Sequence, residues 1–201
     1  RAREYNVRAC ILAREFGDPE IIVNGEINLA MNDLTFGEHT RAADALEKLR
    51  DEAETREDPF MRWRYTLHIA HGLGRLALAR GDAERALALA DQELAGARSH
   101  RAPKLEARAL GLRGAALLVQ DRRDEAAAAL SQTIAVADRI AYPRASWSAL
   151  GLLVELERRR GHSDRAEAHT AQRQVLRDAV AGSLQDPSLR RSLWTASDLV
   201  R

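Results

Sequence analysis

The sequence predicts an all-α chain of repeated antiparallel helix pairs, and three observations predict it. Pro19, Pro59, Pro103 and Pro143 stand 40, 44 and 40 residues apart. Gly37, Gly81, Asp121 and Gly161 follow a matching schedule of 44, 40 and 40. Between these marks the apolar residues recur with a helical period, as in LEARALGLRGAALLVQ (105–120) and DEAAAALSQTIAVADRI (124–140), and no segment alternates as a strand would. Proline at the first helical position forfeits no hydrogen bond. Glycine closes a helix because the left-handed conformation costs it little, and Asp121 substitutes because Asp also tolerates that region.

Taken in order, residues 1–15 read as the second helix of a truncated pair. Four pairs follow at 19–54, 59–98, 103–138 and 143–181, with first helices over 19–34, 60–79, 103–119 and 143–159. Their second helices fall at 38–54, 83–98, 123–138 and 163–181, and PSLRRSLWTASD forms a terminal capping helix at 187–198. Together they make one solenoid domain over 1–201. Asp18 and Asp58 precede prolines and serve as N-caps. Proline to glycine spans 18 residues in three pairs and 22 in the second, so that pair's first helix gains about one turn, roughly 6 Å. Small residues sit where paired helices must approach: Ala30 with Ala42, Gly74 with Ala86, and Gly114 with Ala126. Val154 against Ala166 predicts a looser crossing.

Composition is that of a soluble globular chain, 45% apolar and 30% charged, with net charge +1. That balance gives no global electrostatic case for nucleic acid or an anionic membrane. Nor is there an apolar run of membrane-spanning length. Cys10, the single cysteine, excludes an intrachain disulfide and reads as a small buried residue. No GxxxxGK[ST] loop occurs, so ATPase activity is not assigned to this chain.

Leu73, Gly74, Ala77, Gly81 and Ala86 resemble the signature of the tetratricopeptide-repeat family. Gly114, Leu117 and Ala126 echo it in the next pair, Leu153, Gly161 and Ala166 in the last, and Leu29, Ala30, Gly37 and Ala42 most weakly in the first. Over MRWRYTLHIAHGLGRLALARGDAERALALADQELAGA and SLQDPSLRRSLW the chain is similar to the C-terminal repeat regions of large bacterial signalling ATPases, transcriptional regulators and nucleotide cyclases. The resemblance implies a right-handed superhelix with first helices on its concave face. It also implies a piece of a larger cytoplasmic protein, an expectation that the helical register from residue 1 shares.

Carrying over the family's groove positions gives Asn24, Ile27 and Met31, then His68, His71 and Arg75. Arg108, Gly111 and Ala115 follow, then Ser148, Gly151, Glu155 and Arg158, with Gly111 and Gly151 expected to leave room in the middle. A metal at His68 and His71 needs further ligands, and Arg75 on the same face opposes a cation. Catalysis needs an orienting carboxylate and a nucleophile, and the sequence places neither beside the pair. Two readings stay open: the histidines pack against a neighbouring helix with satisfied N–H groups, or they join Arg75 and Arg108 in a groove that donates to an acidic peptide, a carboxylate or a small anion. No metal, cofactor or catalytic residue is expected.

Trp63, Arg64 and Tyr65, in the extra turn, either cap the core between the first two pairs or anchor a partner, since Trp, Tyr and Arg dominate interface hot spots. Trp147 is expected beside Tyr142 in a helix seam, and Trp194 is expected to fold the terminal helix back over the last pair. The N-terminal end lacks a cap, which allows self-association there. The expected function is non-catalytic: a module that binds a protein or peptide, or docks regulatory domains of its own full-length protein. Its competitors are a sensor of a small anionic or sugar-like ligand and a structural or oligomerisation arm.

Overall fold

The computed structural model describes residues 2–195 and, among them, helices alone: α1 (Ala2–Phe16), α2 (Pro19–Thr35), α3 (His39–Glu54), α4 (Pro59–Ala79), α5 (Ala83–Ser99), α6 (Pro103–Val119), α7 (Arg123–Arg139), α8 (Pro143–Arg159), α9 (Ser163–Ser183) and α10 (Pro187–Thr195). None is long and apolar enough to cross a membrane. The chain divides into two compact units, Arg1–His100 and Arg101–Arg201. In the first, α1 to α5 pack each on the next and α2 also touches α4; in the second, α6 to α10 do the same and α6 touches α8. Within each unit this is the packing of an α-solenoid.

Local chemistry accounts for the helix boundaries. Asp18 accepts hydrogen bonds from the Glu20 and Ile21 N–H groups, and Asp58 from those of Phe60 and Met61, satisfying donors that have no partner inside the helix. Asp82, which the proline schedule does not mark, caps α5 through the Arg85 N–H at 3.0 Å. At the other ends Gly37, Gly81 and Gly161 adopt φ of 81°, 80° and 75°, and Asp121 adopts 57°. The following N–H then reaches back to close the helix: Glu38 to Asp33 O (2.9 Å), Asp82 to Ala77 O (2.9 Å), Arg122 to Leu117 O (2.9 Å) and His162 to Glu157 O (2.9 Å). These are the six-to-one bonds of a Schellman closure.

The turns that lead into α2, α6 and α8 also pass through the left-handed region, at Gly17, Arg101 and Ala141. Arg101 and Ala141, at φ 51° and 52°, hold a conformation that disfavours a side chain. Pro187 extends the proline schedule, 44 residues after Pro143, because α9 runs to Ser183 and has 21 residues where α5 and α7 have 17.

The lengthened α4 also has 21 residues, against 17 in α2, α6 and α8. Its added turn places Tyr65 at 0% exposure, where the hydroxyl donates to Glu20 O at 3.2 Å. Burial, aided by the Glu20 carboxylate, pushes the phenol up to about 12, so it remains a donor. The second helices share a small-residue register. Ala42, Ala86 and Ala126 are 0% exposed and Ala166 4%, while Ala53, Ala97 and Ala137 are at most 1% exposed three turns on.

Ala141→Gly relieves the left-handed strain at some entropic cost, and the expected gain is on the order of 0.5 kcal/mol. Gly81→Ala creates that strain and costs about 1 kcal/mol. Urea midpoints of the two variants moving in opposite directions is the outcome that checks this.

Candidate functional site

The closures set the phase of every pair. The residue ten before the glycine position on the first helix faces the residue twelve after it on the second. In the first pair these are Ile27 and Leu49, both 3% exposed in one apolar core. In the second they are His71 and Glu93, with His71 Nδ1 2.9 Å from Glu93 Oε2 and side-chain exposures of 13% and 0%. In the third, a Cβ on Gly111 would lie 3.8 Å from Thr133 Cγ2; in the fourth, one on Gly151 would lie 3.4 Å from the Arg173 guanidinium. Thr133 is itself buried, its hydroxyl donating to Ala129 O at 3.0 Å.

This geometry corrects several expectations. His71 turns across its own pair toward Glu93, so it does not simply line an open groove. An orienting carboxylate does stand beside it, contrary to the sequence reading, because Glu93 arrives from the partner helix 22 residues away. The missed signal was register: its counterparts Leu49 and Thr133 are uncharged. Gly111 and Gly151 make room for side chains of α7 and α9, and Ile27 belongs to the core.

The other candidates are dispersed. Asn24 is half-buried and donates to Glu20 O of its own helix at 3.0 Å. Met31 is partly buried against the first core. His68 and Arg75 lie half-buried one turn to either side of His71 on α4, and Arg108 is half-buried on α6; none of the three stands free. Glu155 and Arg158 are exposed on α8, where Glu155 accepts from Arg159 at 2.9 Å. Among the described residues no group of three or more His, Cys, Asp or Glu could hold a metal ion.

The extra turn of α4 separates its three candidates. Tyr65 is fully buried and cannot anchor a partner. Arg64 is half-buried, ion-paired with Glu20 and 5.9 Å from the Phe60 ring centroid. Trp63 turns to its own pair instead of the first core: it stacks on His100 at 4.1 Å and 7°, and Phe60 meets it edge-on at 5.5 Å and 89°. Phe60, which the sequence reading passed over, is 54% exposed. In the other unit Trp147 lies under Arg173 at 5.3 Å, and Tyr142 under Lys104 at 5.3 Å. The expectation for Trp194 concerns a side chain outside the described residues.

Two buried carboxylates occupy one further register position, four before the glycine. Asp33 is held bidentately by Arg41, with both bonds at 2.7 Å, and that hydrogen bonding holds its carboxyl below the ordinary 3.8. For Glu157, burial pushes upward, but bonds from His162 (2.8 Å) and Arg160 (3.1 Å) outweigh it and lower the pKa. Cys10 is buried, and burial raises its thiol pKa, which makes it a poor nucleophile. Compared with known proteins, the chain matches no family model and no curated sequence.

Removing the imidazole takes a hydrogen bond from a buried carboxylate, so His71→Ala is expected to cost about 2 kcal/mol. The double change H71I/E93L, which copies Ile27 and Leu49, is expected to recover most of that loss; chemical denaturation of the single and double variants checks it. For Asp33 the folded pKa lies below the unfolded one. Its stabilisation is therefore complete above the ordinary carboxylate value and is lost as pH falls through the folded value. Arg41→Gln should flatten the decline in stability between about pH 5 and about pH 2, as followed by thermal melts across that range.

Proposed function

We propose that this chain is a non-catalytic docking module of the tetratricopeptide kind, a right-handed superhelix that binds a protein or peptide segment for a larger bacterial, cytoplasmic signalling protein. The observation that supports it is the aromatic cluster on the lengthened helix. Phe60 projects into solvent, braced by Trp63, which is itself braced by His100. A ring held in place by two others loses little freedom when a partner covers it, and rigid aromatic anchors carry much of the energy of protein interfaces. Arg62 is exposed on the same turn, its guanidinium donating to Glu57 O at 3.3 Å, and it supplies a polar rim.

The His71–Glu93 pair supports this surface from within: it joins the middle of α4 to α5, the helix whose C-cap, His100, braces Trp63. Substituting His71 would therefore confuse a folding defect with a binding defect, whereas Phe60 is exposed enough to change without disturbing the core.

The test is a selection of binding peptides from a random library on the full chain, followed by affinity measurement on Phe60→Ala and on the exposed pair E155A/R158A. The expected result is at least a tenfold loss of affinity for Phe60→Ala with unchanged circular dichroism, and little change for E155A/R158A. Selected peptides that ignore Phe60→Ala would overturn this placement of the surface.

A further inference from the structure

Six residues before Pro19, Pro59, Pro103 and Pro143 stand Ala13, Ala53, Ala97 and Ala137, none more than 4% exposed. That shared mark gives α1 the register of the second helices α3, α5 and α7. Counted back from the proline, Tyr5, Leu12 and Phe16 then correspond to Leu89 and Gly96 on α5 and to its C-cap, His100.

In the second pair those three positions meet α4. Leu89 packs on the core that holds Ile69, Leu73 and Leu76. A Cβ on Gly96 would stand 2.5 Å from Leu67 Cδ2, and His100 stacks on Trp63. The same face of α1 is bare: among the described elements α1 packs on α2 alone, and Tyr5, Leu12 and Phe16 are 71%, 43% and 83% exposed. At roughly 100° and about 1.5 Å per residue, they fall within about 40° of arc along about 16 Å of helix. Contiguous exposed apolar surface of this kind marks a site of association.

Charge and spacing identify what covers it. Arg8 and Glu15 border the stripe on one flank, about 20° apart around the helix. Both are exposed, and among the described residues neither holds an ion pair or hydrogen bond. Arg3 and Arg14, on the far side, are instead tied to Asp33 and Glu26. Antiparallel alignment of two α1 helices about the middle of the stripe sets Tyr5 against Phe16 of the other copy and the small Ala9 against its Leu12. A two-fold axis makes each contact occur twice. In that alignment Arg8 lies within about 3 Å, measured along the axis, of Glu15 of the other copy and on the same flank. Parallel alignment would set Arg8 against Arg8 and Glu15 against Glu15, so the charges select the antiparallel one.

We infer that α1 is a self-association helix: its Tyr5–Leu12–Phe16 face is covered by the same face of a second copy of this chain, in an antiparallel two-fold contact with Arg8 paired to Glu15 on each side. The inference goes beyond the docking reading and uses α1 rather than the aromatic cluster on α4.

The experiment is sedimentation equilibrium of the full chain across micromolar concentrations. A reversible monomer–dimer equilibrium is expected, and Y5S/F16S should weaken the dimer at least tenfold. R8E sets acid against acid and should weaken it about threefold, whereas R8E/E15R, which reverses both charges, should restore it. Circular dichroism tests that each variant folds, and R8E with its reversal decides if Y5S/F16S does not. Monomer at every concentration, which would assign the face to another protein or segment, would overturn the inference. So would an undiminished dimer in folded Y5S/F16S, or a dimer that R8E/E15R fails to restore. Phe60→Ala should leave the dimer intact, so failure here is separable from failure at the aromatic surface.

Discussion

The left-handed closure at the end of each first helix is the constraint on which the rest of the structure depends. A single residue at φ between 57° and 81° turns the chain, and the N–H that follows locks the turn to a carbonyl in the last helical turn. Because this closure recurs at Gly37, Gly81, Asp121 and Gly161, each second helix starts in the same phase relative to its first. That phase brings position minus ten against position plus twelve and sets small residues where the backbones approach. Side chains at these positions can then vary without altering the pairing: Ile27 with Leu49, His71 with Glu93, Gly111 with Thr133, Gly151 with Arg173.

Such variation within a fixed frame is where function can enter a repeat fold. An apolar pair at the facing position adds to the core. A buried imidazole–carboxylate pair adds less net stability than apolar side chains of similar size, but its geometry is specific. A glycine opposite an arginine leaves the guanidinium lying along the neighbouring helix, close to an indole. The added turn of α4 follows the same logic: Tyr65 fastens it to Glu20 of α2, and only then do Trp63 and Phe60 have a rigid base from which to project.

The helix boundaries were legible in the sequence to within a residue or two, because proline and glycine act on the backbone locally and independently of the rest of the fold. Where the left-handed residue is not glycine, as at Arg101 and Ala141, the prolines that follow place the turn but nothing in the sequence marks its left-handed residue. Side-chain partners were legible only when near in sequence. Asp18 and Asp58 were recognised as caps. Glu93 was not recognised as the partner of His71, nor His100 as that of Trp63, since each comes from the other helix of the pair. Groove positions carried over from a family left His71 open between a packed and a groove reading, and gave no sign that His71, Gly111 and Gly151 each lie against a side chain of their own second helix. Comparing the four pairs position by position brings out these facing partners.

The facing register is tested most directly by disulfide trapping. In a Cys10→Ser background, G111C/T133C places two thiols across the third pair and R108C/T133C moves one of them by about a turn of helix. Disulfide geometry admits only close, well-directed Cβ atoms. The account predicts rapid, near-complete oxidation of G111C/T133C with native helicity and little oxidation of R108C/T133C; the reverse order would contradict it.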